Sequence, residues 1–478
     1  MQMYILKRAK LSILITSATL LLFALALLPA GCGWTTGRRN AAAPNVLLIT
    51  LDTTRADRLG CYGYPLPTSP RIDALARTGV LFERAVAQAS VTPVSHASIF
   101  TGLNPYHHGV RFLHGTYGYK LPPEIPTMSG ILKARGYRTA GFVSAFPAGS
   151  RFGLESGFDT FDESFEGSHA PERVTPEGIV NTNRSQRIAG ATTRAVFDWL
   201  DKAGEGPLFV WVHYFDPHDA RLVPDDRSFM DRFRPRDSSP REWLIAMYDS
   251  EIAYMDDHVG KVVERFSALK RPLLVIIVGD HGQGLGDHNW WGHGLLYEEQ
   301  IRVPFVLYGD GIPKGLRVPD LVRTVDILPT LLGLLSERGG GGQTPAPTVD
   351  GVDLRPMLKG EWKGPELEAY ADAPLIMDYT LPYKPDERDK KNDQLFALTS
   401  GNWKYTLHRL RMGPDELYDL GVDPRETRNL ITERADVAAA LRARLMKASV
   451  FPKKTTILGG LSPEDIERLK SLGYLSSE

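Results

Sequence analysis

Three aspartates in this chain of 478 residues each follow a run of apolar residues, where α/β proteins place metal-binding and catalytic carboxylates. They are Asp52, Asp216 and Asp280. If the runs are neighbouring parallel strands, the three acids meet in one crevice and repel one another unless a cation neutralises them. One aspartate at a strand end more often caps the next helix, but three together favour a shared cation.

Histidines stand close to two of these carboxylates. His281 follows Asp280 directly, and a carboxylate beside an imidazole suits zinc or manganese, with calcium and magnesium left open. Thirteen residues after Asp280, His293 lies between two glycines, which let the backbone approach a ligand closely. His218 follows the second aspartate by two residues. A lone histidine more often has a structural role, but these positions favour function.

The segment Ser90–Gly102 holds several hydroxyl groups at a predicted helix start near Ser95. Helix N-termini attract anions through free N–H groups and the helix dipole. A hydroxyl at this point that is bound to a metal can be deprotonated and act as a nucleophile. The alternative is that Thr92 or Ser95 is only a helix cap.

The elements that position these residues alternate between strands and helices. Apolar runs without alternation predict strands buried on both faces, at 46–52, 208–216, 273–280 and 303–308. Helices are predicted at Arg71–Thr78, Ala189–Lys202 and Arg241–Ala268. The alternation predicts an α/β fold whose sheet is covered on both sides. After Gly339–Gly342 the chain is more polar, which predicts a small antiparallel subdomain including 403–407, and Ser462–Asp465 begins a terminal helix.

The N-terminus is typical of an export signal. Three basic residues among the first ten precede the apolar run Leu11–Leu28, and Ala30-Gly31 comes before Cys32. This order resembles a bacterial lipoprotein signal with a lipidated Cys32, although Pro29 departs from it. An uncleaved anchor and an ordinary cleaved signal are the alternatives. All three alternatives predict that the folded part of the protein lies outside the cytoplasm, in the periplasm or outside the cell. The lipoprotein signal and the uncleaved anchor would also tether it to a membrane.

Composition excludes several classes of protein. With 56 basic and 57 acidic residues the net charge is −1, which gives no electrostatic reason to expect nucleic acid as a partner. Two cysteines cannot form a disulfide-stapled scaffold. The apolar fraction of 42% is that of a globular protein rather than a disordered chain.

From Asn45 to about Leu430 the chain resembles the sulfatase family of the alkaline phosphatase superfamily. The matching stretches are Leu51-Asp52, Gly60–Gly63, Pro70–Ala76, Gly79–Phe82, Asp280–Gly282, Tyr297–Glu299, Arg302–Pro304, Val325–Leu332, Glu416–Leu420 and Asp423-Pro424 with Glu426. The resemblance implies a large mixed, mostly parallel sheet sandwiched by helices, with a small C-terminal antiparallel subdomain. The implied organisation is a signal or anchor (1–32), a tether (33–44), a catalytic domain (45–338), a linker (339–364) and a C-terminal subdomain with a terminal helix (365–478).

The nucleophile position departs from the family pattern. Aligning Thr101-Gly102 with the family's Thr-Gly places Thr92 where sulfatases carry the Cys or Ser that is oxidised to formylglycine, and His96 where they carry Arg. Threonine is a secondary alcohol, so its oxidation gives a ketone and not that aldehyde. The family's Gly-Lys-Trp-His segment is replaced by Gly141–Ser144, which lacks the Lys and His.

The metal ligands depart as well, because Thr53 and His281 stand where the family has Asp and Asn. The resulting set resembles that of threonine-nucleophile phosphoesterases and phosphotransferases, including lipoteichoic acid synthases and phosphoethanolamine transferases. The site residues that this resemblance implies are Asp52, Thr92, Asp280 and His281 at the metal, and His218 and His293 in catalysis. His96 is a further candidate catalytic residue, and Asp216 is the candidate ligand of an optional second metal.

The predicted activity is therefore a metal-dependent hydrolysis or transfer of phosphate or sulfate esters through a covalent ester on Thr92. His218 and His293 would bind the substrate oxygens and protonate the leaving alkoxide, or join Asp216 in holding a second metal. The substrate would be a small-molecule, glycan or lipid ester. The alternatives are a sulfatase that works without formylglycine and a non-catalytic binding relative.

The sequence also predicts the local conformations of Thr92 and Ser95. Thr92 precedes Pro93, which predicts an extended backbone that points the Thr92 side chain away from the helix. Ser95 is predicted to cap the helix with its hydroxyl. Thr92 is accordingly the predicted nucleophile, and Ser95 the structural residue.

Overall fold

The computed structural model describes residues 43–111, 120–165, 173–175, 178–180, 185–218, 228–233, 239–338, 347–373, 394–409, 413–448 and 462–472. The chain divides into Met1–Ala41 and Ala42–Glu478, and every described residue lies in the second unit. The predicted signal (1–32), nearly all of the tether and the glycine run 339–342 lie outside the described residues. Within the described ranges, no helix has the length and apolar character needed to cross a bilayer.

A sheet of eight strands forms the centre, in the order β10-β2-β9-β8-β1-β7-β3-β4. Its strands are β1 (Asn45–Leu51), β2 (Val80–Val86), β3 (Arg138–Val143), β4 (Thr160–Asp162), β7 (Leu208–Tyr214), β8 (Leu273–Gly279), β9 (Arg302–Gly309) and β10 (Leu316–Arg323). Only β9 runs antiparallel to its neighbours. The mixed, mostly parallel sheet predicted from the sequence is confirmed. A separate hairpin joins β5 (Arg173–Thr175) and β6 (Gly178–Val180).

Helices cover both faces of this sheet because each central strand is apolar on both sides. In β1, Val46 and Leu48 face one core, while Leu47 and Ile49 face the other. The helices of the described chain up to residue 358 are α1 (Pro70–Thr78), α2 (Thr92–Thr101), α3 (Pro105–His108), α4 (Met128–Ala134), α5 (Ala189–Leu200), α6 (Ser228–Phe233), α7 (Pro240–Ser267), α8 (Glu298–Ile301), α9 (Ile327–Glu337) and α10 (Arg355–Leu358). Helices α2, α4 and α9 pack on the first face, and α1, α5 and α7 pack on the second.

The C-terminal region forms a second, antiparallel sheet, as predicted. Its strands are β11 (Glu368–Ala373), β12 (Leu395–Ser400), β13 (Trp403–His408) and β14 (Glu416–Asp419), and they are followed by helices α11 (Ala435–Lys447) and α12 (Pro463–Ser471). Helix α11 packs on this sheet through Leu441 and Leu445. Part of the predicted linker is also packed, because Leu354 is buried and Asp350 accepts a hydrogen bond from the Asn104 amide.

Candidate active site

The β1–β8 register brings two of the three aspartates together. Leu51 pairs with Gly279, so the residues that follow, Asp52 and Asp280, lie side by side at the carboxyl ends of adjacent strands. Both side chains are fully buried. Burial raises the pKa of each carboxyl well above its usual value, and the charge of Asp52 raises the pKa of Asp280 further. Two buried carboxylates in contact can both ionise only beside a positive charge.

The ligand atoms at this point fit a cation. Within the described part of the chain, Asp52, Asp280 and His281 form a group whose ligand atoms all lie within 4.8 Å of one another. Asp52 Oδ1 and Asp280 Oδ2 are buried and have no hydrogen-bond partner among the described residues. Buried carboxylate oxygens without a donor carry a large desolvation penalty, which a bound cation removes.

The His281 ring presents a lone pair to the same point. Its Nδ1 lies 3.0 Å from the Gly282 carbonyl oxygen, which can only accept, so the neutral ring carries its proton on Nδ1. Its Nε2 is then unprotonated and lies 3.5 Å from Asp280 Oδ2. Burial lowers the pKa of His281 well below its usual value, which keeps the ring neutral and able to act as a ligand.

Thr92 reaches this group from the first residue of α2. Its Oγ1 donates a hydrogen bond to Asp52 Oδ2 at 3.1 Å and lies 3.3 Å from His281 Nε2. The predicted extended conformation of Thr92 is wrong, because the helix already includes it and Pro93 is the second helical residue. A proline costs a helix nothing in the first turn, where its missing N–H would have no partner. The side chain nevertheless points to the carboxylates, as a nucleophile requires.

Ser95 does not cap the helix, which corrects the second prediction for this segment. The residue before the helix is Val91, and no side chain caps this end. The Ser95 hydroxyl instead donates to the backbone carbonyl of Asp280 at 2.6 Å. It therefore fixes α2 to the strand end that carries Asp280.

His96 also connects α2 to the sheet. Its Nδ1 donates to the Thr92 carbonyl oxygen at 2.9 Å, and its Nε2 accepts from the Thr50 hydroxyl at 3.0 Å. Trp211 donates to the same hydroxyl oxygen, so the hydroxyl proton is directed to His96. Both ring nitrogens are engaged within the protein, and the assignment of His96 to catalysis stays a prediction.

His218 and His293 lie next to His281, on one side of the carboxylate group. Their Nε2 atoms are 3.3 Å apart, and the His293 ring centroid is 4.5 Å from that of His281. The Nδ1 of His293 donates to the Ser90 carbonyl oxygen at 2.8 Å, so the Nε2 of the neutral ring faces His218. His218 stacks on Phe215 with centroids 4.2 Å apart. Two imidazole nitrogens thus converge next to His281, and the assignment of His218 and His293 to catalysis stays a prediction.

Asp216, the third predicted carboxylate, contacts a helix instead of the other two aspartates. Its Oδ1 accepts a hydrogen bond from the amide of Ala189, the first residue of α5, at 2.8 Å. The bond ties Asp216 to the start of α5, which precedes β7 in the chain, rather than to the helix that follows the strand. Asp216 does not join the group formed by Asp52, Asp280 and His281. Its assignment to a second metal stays a prediction.

Two residues of the site were missed by sequence reasoning. His213, near the end of β7, places Nε2 3.2 Å from Asp52 Oδ2, and a histidine inside an otherwise apolar strand was the available signal. Thr53 has a positive φ of 49°, which is a strained conformation for a β-branched residue. In this conformation its amide donates to Asp280 Oδ1 at 3.1 Å. No sequence pattern marks such strain.

Comparisons with known proteins agree with the fold. The sulfatase family matches residues 44–337, and the family described as N-sulphoglucosamine sulphohydrolase, C-terminal, matches residues 286–450. Choline-sulfatase of Rhizobium meliloti is 30% identical over 451 residues, which cover 81% of this chain and 82% of the relative. Delta 4,5-hexuronate-2-O-sulfatase of Bacteroides thetaiotaomicron is 25% identical over 422 residues, which cover 81% and 84%.

Among solved structures, the phosphonate monoester hydrolase of Agrobacterium radiobacter has the same fold. It superposes with a TM-score of 0.66 at 22% identity, over 85% of this chain and 96% of that one. The sulfatase match spans more than half of the chain. The chain belongs to the sulfatase family of the alkaline phosphatase superfamily and is an ester hydrolase of that superfamily.

Proposed function

We propose that this protein hydrolyses phosphate or sulfate esters in a metal-dependent reaction in which the Thr92 hydroxyl is the nucleophile. The observation that carries the proposal is the position of Thr92 Oγ1, 3.1 Å from Asp52 Oδ2 and 3.3 Å from His281 Nε2. This hydroxyl stands at the first residue of a ten-residue helix, where the helix dipole stabilises negative charge by about 0.3–1 kcal/mol.

Asp52, Asp280 and His281 are the residues that would hold the metal. Two carboxylates and an unprotonated imidazole nitrogen suit zinc or manganese, and calcium or magnesium would use the carboxylates alone. A divalent cation bound there lowers the pKa of an adjacent hydroxyl and neutralises the two carboxylates. Asp52 Oδ1 and Asp280 Oδ2, the carboxylate oxygens that lack a hydrogen-bond partner in the described part of the chain, support this assignment.

The chain's own residues supply the other parts of the reaction. The Thr92 hydroxyl gives its proton to solvent, and Oγ1 attacks phosphorus or sulfur in line. The bond to the leaving oxygen breaks, and the phosphoryl or sulfuryl group becomes an ester of Thr92. Burial lowers the pKa of His293 to about 4, so the His293 ring is neutral until an anionic substrate favours its protonated form. His218 and His293 would bind the oxygens of the ester and give the leaving alkoxide its proton. Water then cleaves the Thr92 ester and restores the hydroxyl.

Phosphate esters are the first candidate substrates. Threonine cannot be converted to the formylglycine aldehyde, and an alcohol nucleophile is the pattern of the phosphoesterases that this site resembles. Sulfate esters are the second candidate, and the similarity to choline-sulfatase and to the hexuronate 2-O-sulfatase supports them. Transfer to an acceptor alcohol, in place of water, would use the same Thr92 ester.

The test uses the purified full chain with an aryl phosphate, an aryl phosphodiester and an aryl sulfate, each with and without chelator. We expect chelation to remove turnover and Thr92→Ala to lower kcat by at least about three orders of magnitude. Thr101→Ala is the matched control, because Thr101 is a buried threonine of the same helix whose hydroxyl donates to the Ala97 carbonyl and accepts from the Leu103 amide, both outside the site. Full turnover by Thr92→Ala would refute the proposal. Binding of the esters without turnover by the wild-type protein would favour a non-catalytic relative.

We further propose that the protein is exported and tethered to a bacterial membrane through a lipidated Cys32. The support is the sequence of the first 32 residues, in which a basic start, an apolar run and small residues precede the cysteine. Mass spectrometry of the mature protein tests this proposal. A lipid-modified N-terminal Cys32 supports it, and a mature chain that retains an unmodified Leu28–Cys32 segment contradicts it.

A further inference from the structure

We propose that His213 is a positioning residue that orients Asp52 toward the metal, with its ring held in the Nε2-protonated form by the backbone of Ser144. This inference rests on the metal site of the proposed function and names a residue outside the group that would bind the ion. His213 is fully buried in β7, the strand that pairs with β1, which carries Asp52 at its end.

The proton of His213 is assigned by its neighbours. The amide of Ser144 donates to His213 Nδ1 at 3.3 Å, and an amide can only donate, so Nδ1 is the unprotonated nitrogen. The proton of the neutral ring is therefore on Nε2, which donates to Asp52 Oδ2 at 3.2 Å. The Ser144 hydroxyl donates to the His213 carbonyl at 2.6 Å and holds the two strands at this point.

Two other histidines of the site, His281 and His293, have the opposite arrangement. His281 and His293 each donate from Nδ1 to a backbone carbonyl, so that Nε2 of each neutral ring presents a lone pair to the site. Among these three rings, His213 is the one that presents N–H. Backbone contacts thus sort the three rings into two acceptors and one donor.

The donated bond decides which oxygen of Asp52 is available. Oδ2 accepts from both Thr92 and His213, at 3.1 and 3.2 Å. Oδ1 is the oxygen without a partner among the described residues, and it is left to the cation. Without His213 the carboxylate can rotate and exchange its two oxygens. Residues that orient metal ligands in this way commonly change metal affinity by 10–100-fold.

The experiment compares His213→Asn with His213→Gln. The asparagine amide reaches the level of Nδ1 only, so it keeps an acceptor for Ser144 and loses the donor to Asp52. The glutamine amide reaches the level of Nε2 and can restore that donor. Metal-free protein is titrated with Mn²⁺ while electron paramagnetic resonance measures the free ion. We expect His213→Asn to weaken Mn²⁺ binding at least about 10-fold and His213→Gln to stay within about threefold of wild type.

His108→Gln is the matched control, since His108 is a buried histidine whose nitrogens contact Ser98 and the Val110 amide. It should leave Mn²⁺ affinity unchanged. Equal affinity of His213→Asn and wild type overturns the positioning role and leaves the proposed function intact, whereas a wild-type protein that binds none of Mn²⁺, Zn²⁺, Ca²⁺ and Mg²⁺ overturns both. Nitrogen-15 spectra of wild-type histidines test the proton assignment without any variant: a protonated Nε2 on His213 supports it, and a protonated Nδ1 overturns it.

Discussion

The Tyr248 hydroxyl holds the turn that carries the metal ligands, and its removal should separate stability from catalysis. Tyr248 lies in α7 and is fully buried. Its hydroxyl donates to the Thr53 carbonyl oxygen at 2.7 Å and accepts from the Arg55 amide at 3.0 Å. The first bond is made to the strained residue, Thr53, whose amide binds Asp280, and the second is made two residues further along the chain. Tyr248→Phe removes one oxygen atom and both bonds.

The expected loss follows from these contacts. A net hydrogen bond contributes about 1 kcal/mol, and a buried group left without a partner costs about 1–3 kcal/mol. Two such groups remain after the substitution, but Thr53 can then relax from its positive φ, which returns part of the cost. We expect a decrease of about 2 kcal/mol in the free energy of unfolding, or about 2 °C in Tm for a chain of 478 residues. Loss of alignment at Asp52 should lower kcat about 10-fold or more.

Tyr62→Phe is the control that makes this test specific. The Tyr62 hydroxyl also joins two backbone groups, since it donates to the Phe82 carbonyl and accepts from the Phe305 amide, both at 2.8 Å. It joins β2 to β9, and neither of these two bonds involves Asp52, Asp280 or Thr53. Both variants should lose similar stability in thermal unfolding, but only Tyr248→Phe should lose kcat and metal affinity. Equal kcat in the two variants would refute the role assigned to the Thr53 turn.

Three further predictions concern other parts of the structure. Burial lowers the pKa of His108 to about 3, so below pH 6.5 the unfolded chain binds a proton at His108 that the folded chain does not. The free energy of unfolding therefore falls as the pH falls. In urea unfolding, His108→Gln should reduce the dependence of this free energy on pH by about 1.4 kcal/mol per pH unit between pH 6 and 4. Gly282→Ala would place a Cβ 2.1 Å from the Glu299 carbonyl oxygen, so we expect a large loss of stability and of turnover, and wild-type values for both would contradict the packing described. Ser95→Ala removes the bond to the Asp280 carbonyl and should lower the free energy of unfolding in denaturant by about 1 kcal/mol. This variant should keep more activity than Thr92→Ala. A folded but inactive Ser95→Ala protein would indicate that Ser95 is the nucleophile.

The strands and helices around the site could be predicted because their patterns are strong. Apolar runs placed β1, β7 and β8 within about two residues of their observed ends, since strands buried on both faces are apolar throughout. Helix α7 was predicted at 241–268 and is observed at Pro240–Ser267. The antiparallel direction of β9 could not be predicted, because an apolar run carries no information about the direction of its neighbours.

The site was predictable where position along a strand decides it and not where distant contacts do. Asp52 and Asp280 meet because each follows the end of a strand, and the strands are adjacent. Ser95 was misassigned because its partner is the Asp280 carbonyl, 185 residues away in sequence, rather than the local helix end. His213 was overlooked because its strand has the pattern of a core strand, and only the pairing of β7 with β1 brings it to Asp52.

The most direct test of the central claim is to trap the covalent ester on Thr92. The protein is mixed with an aryl phosphate, and separately with an aryl sulfate, quenched in acid during the first turnover, digested and analysed by mass spectrometry. We predict a phosphoryl or sulfuryl group on Thr92 in the wild-type protein and none in Thr92→Ala. Product formation in the first turnover with Thr92 unmodified, or with the group attached to Ser95, would contradict the assignment of the nucleophile.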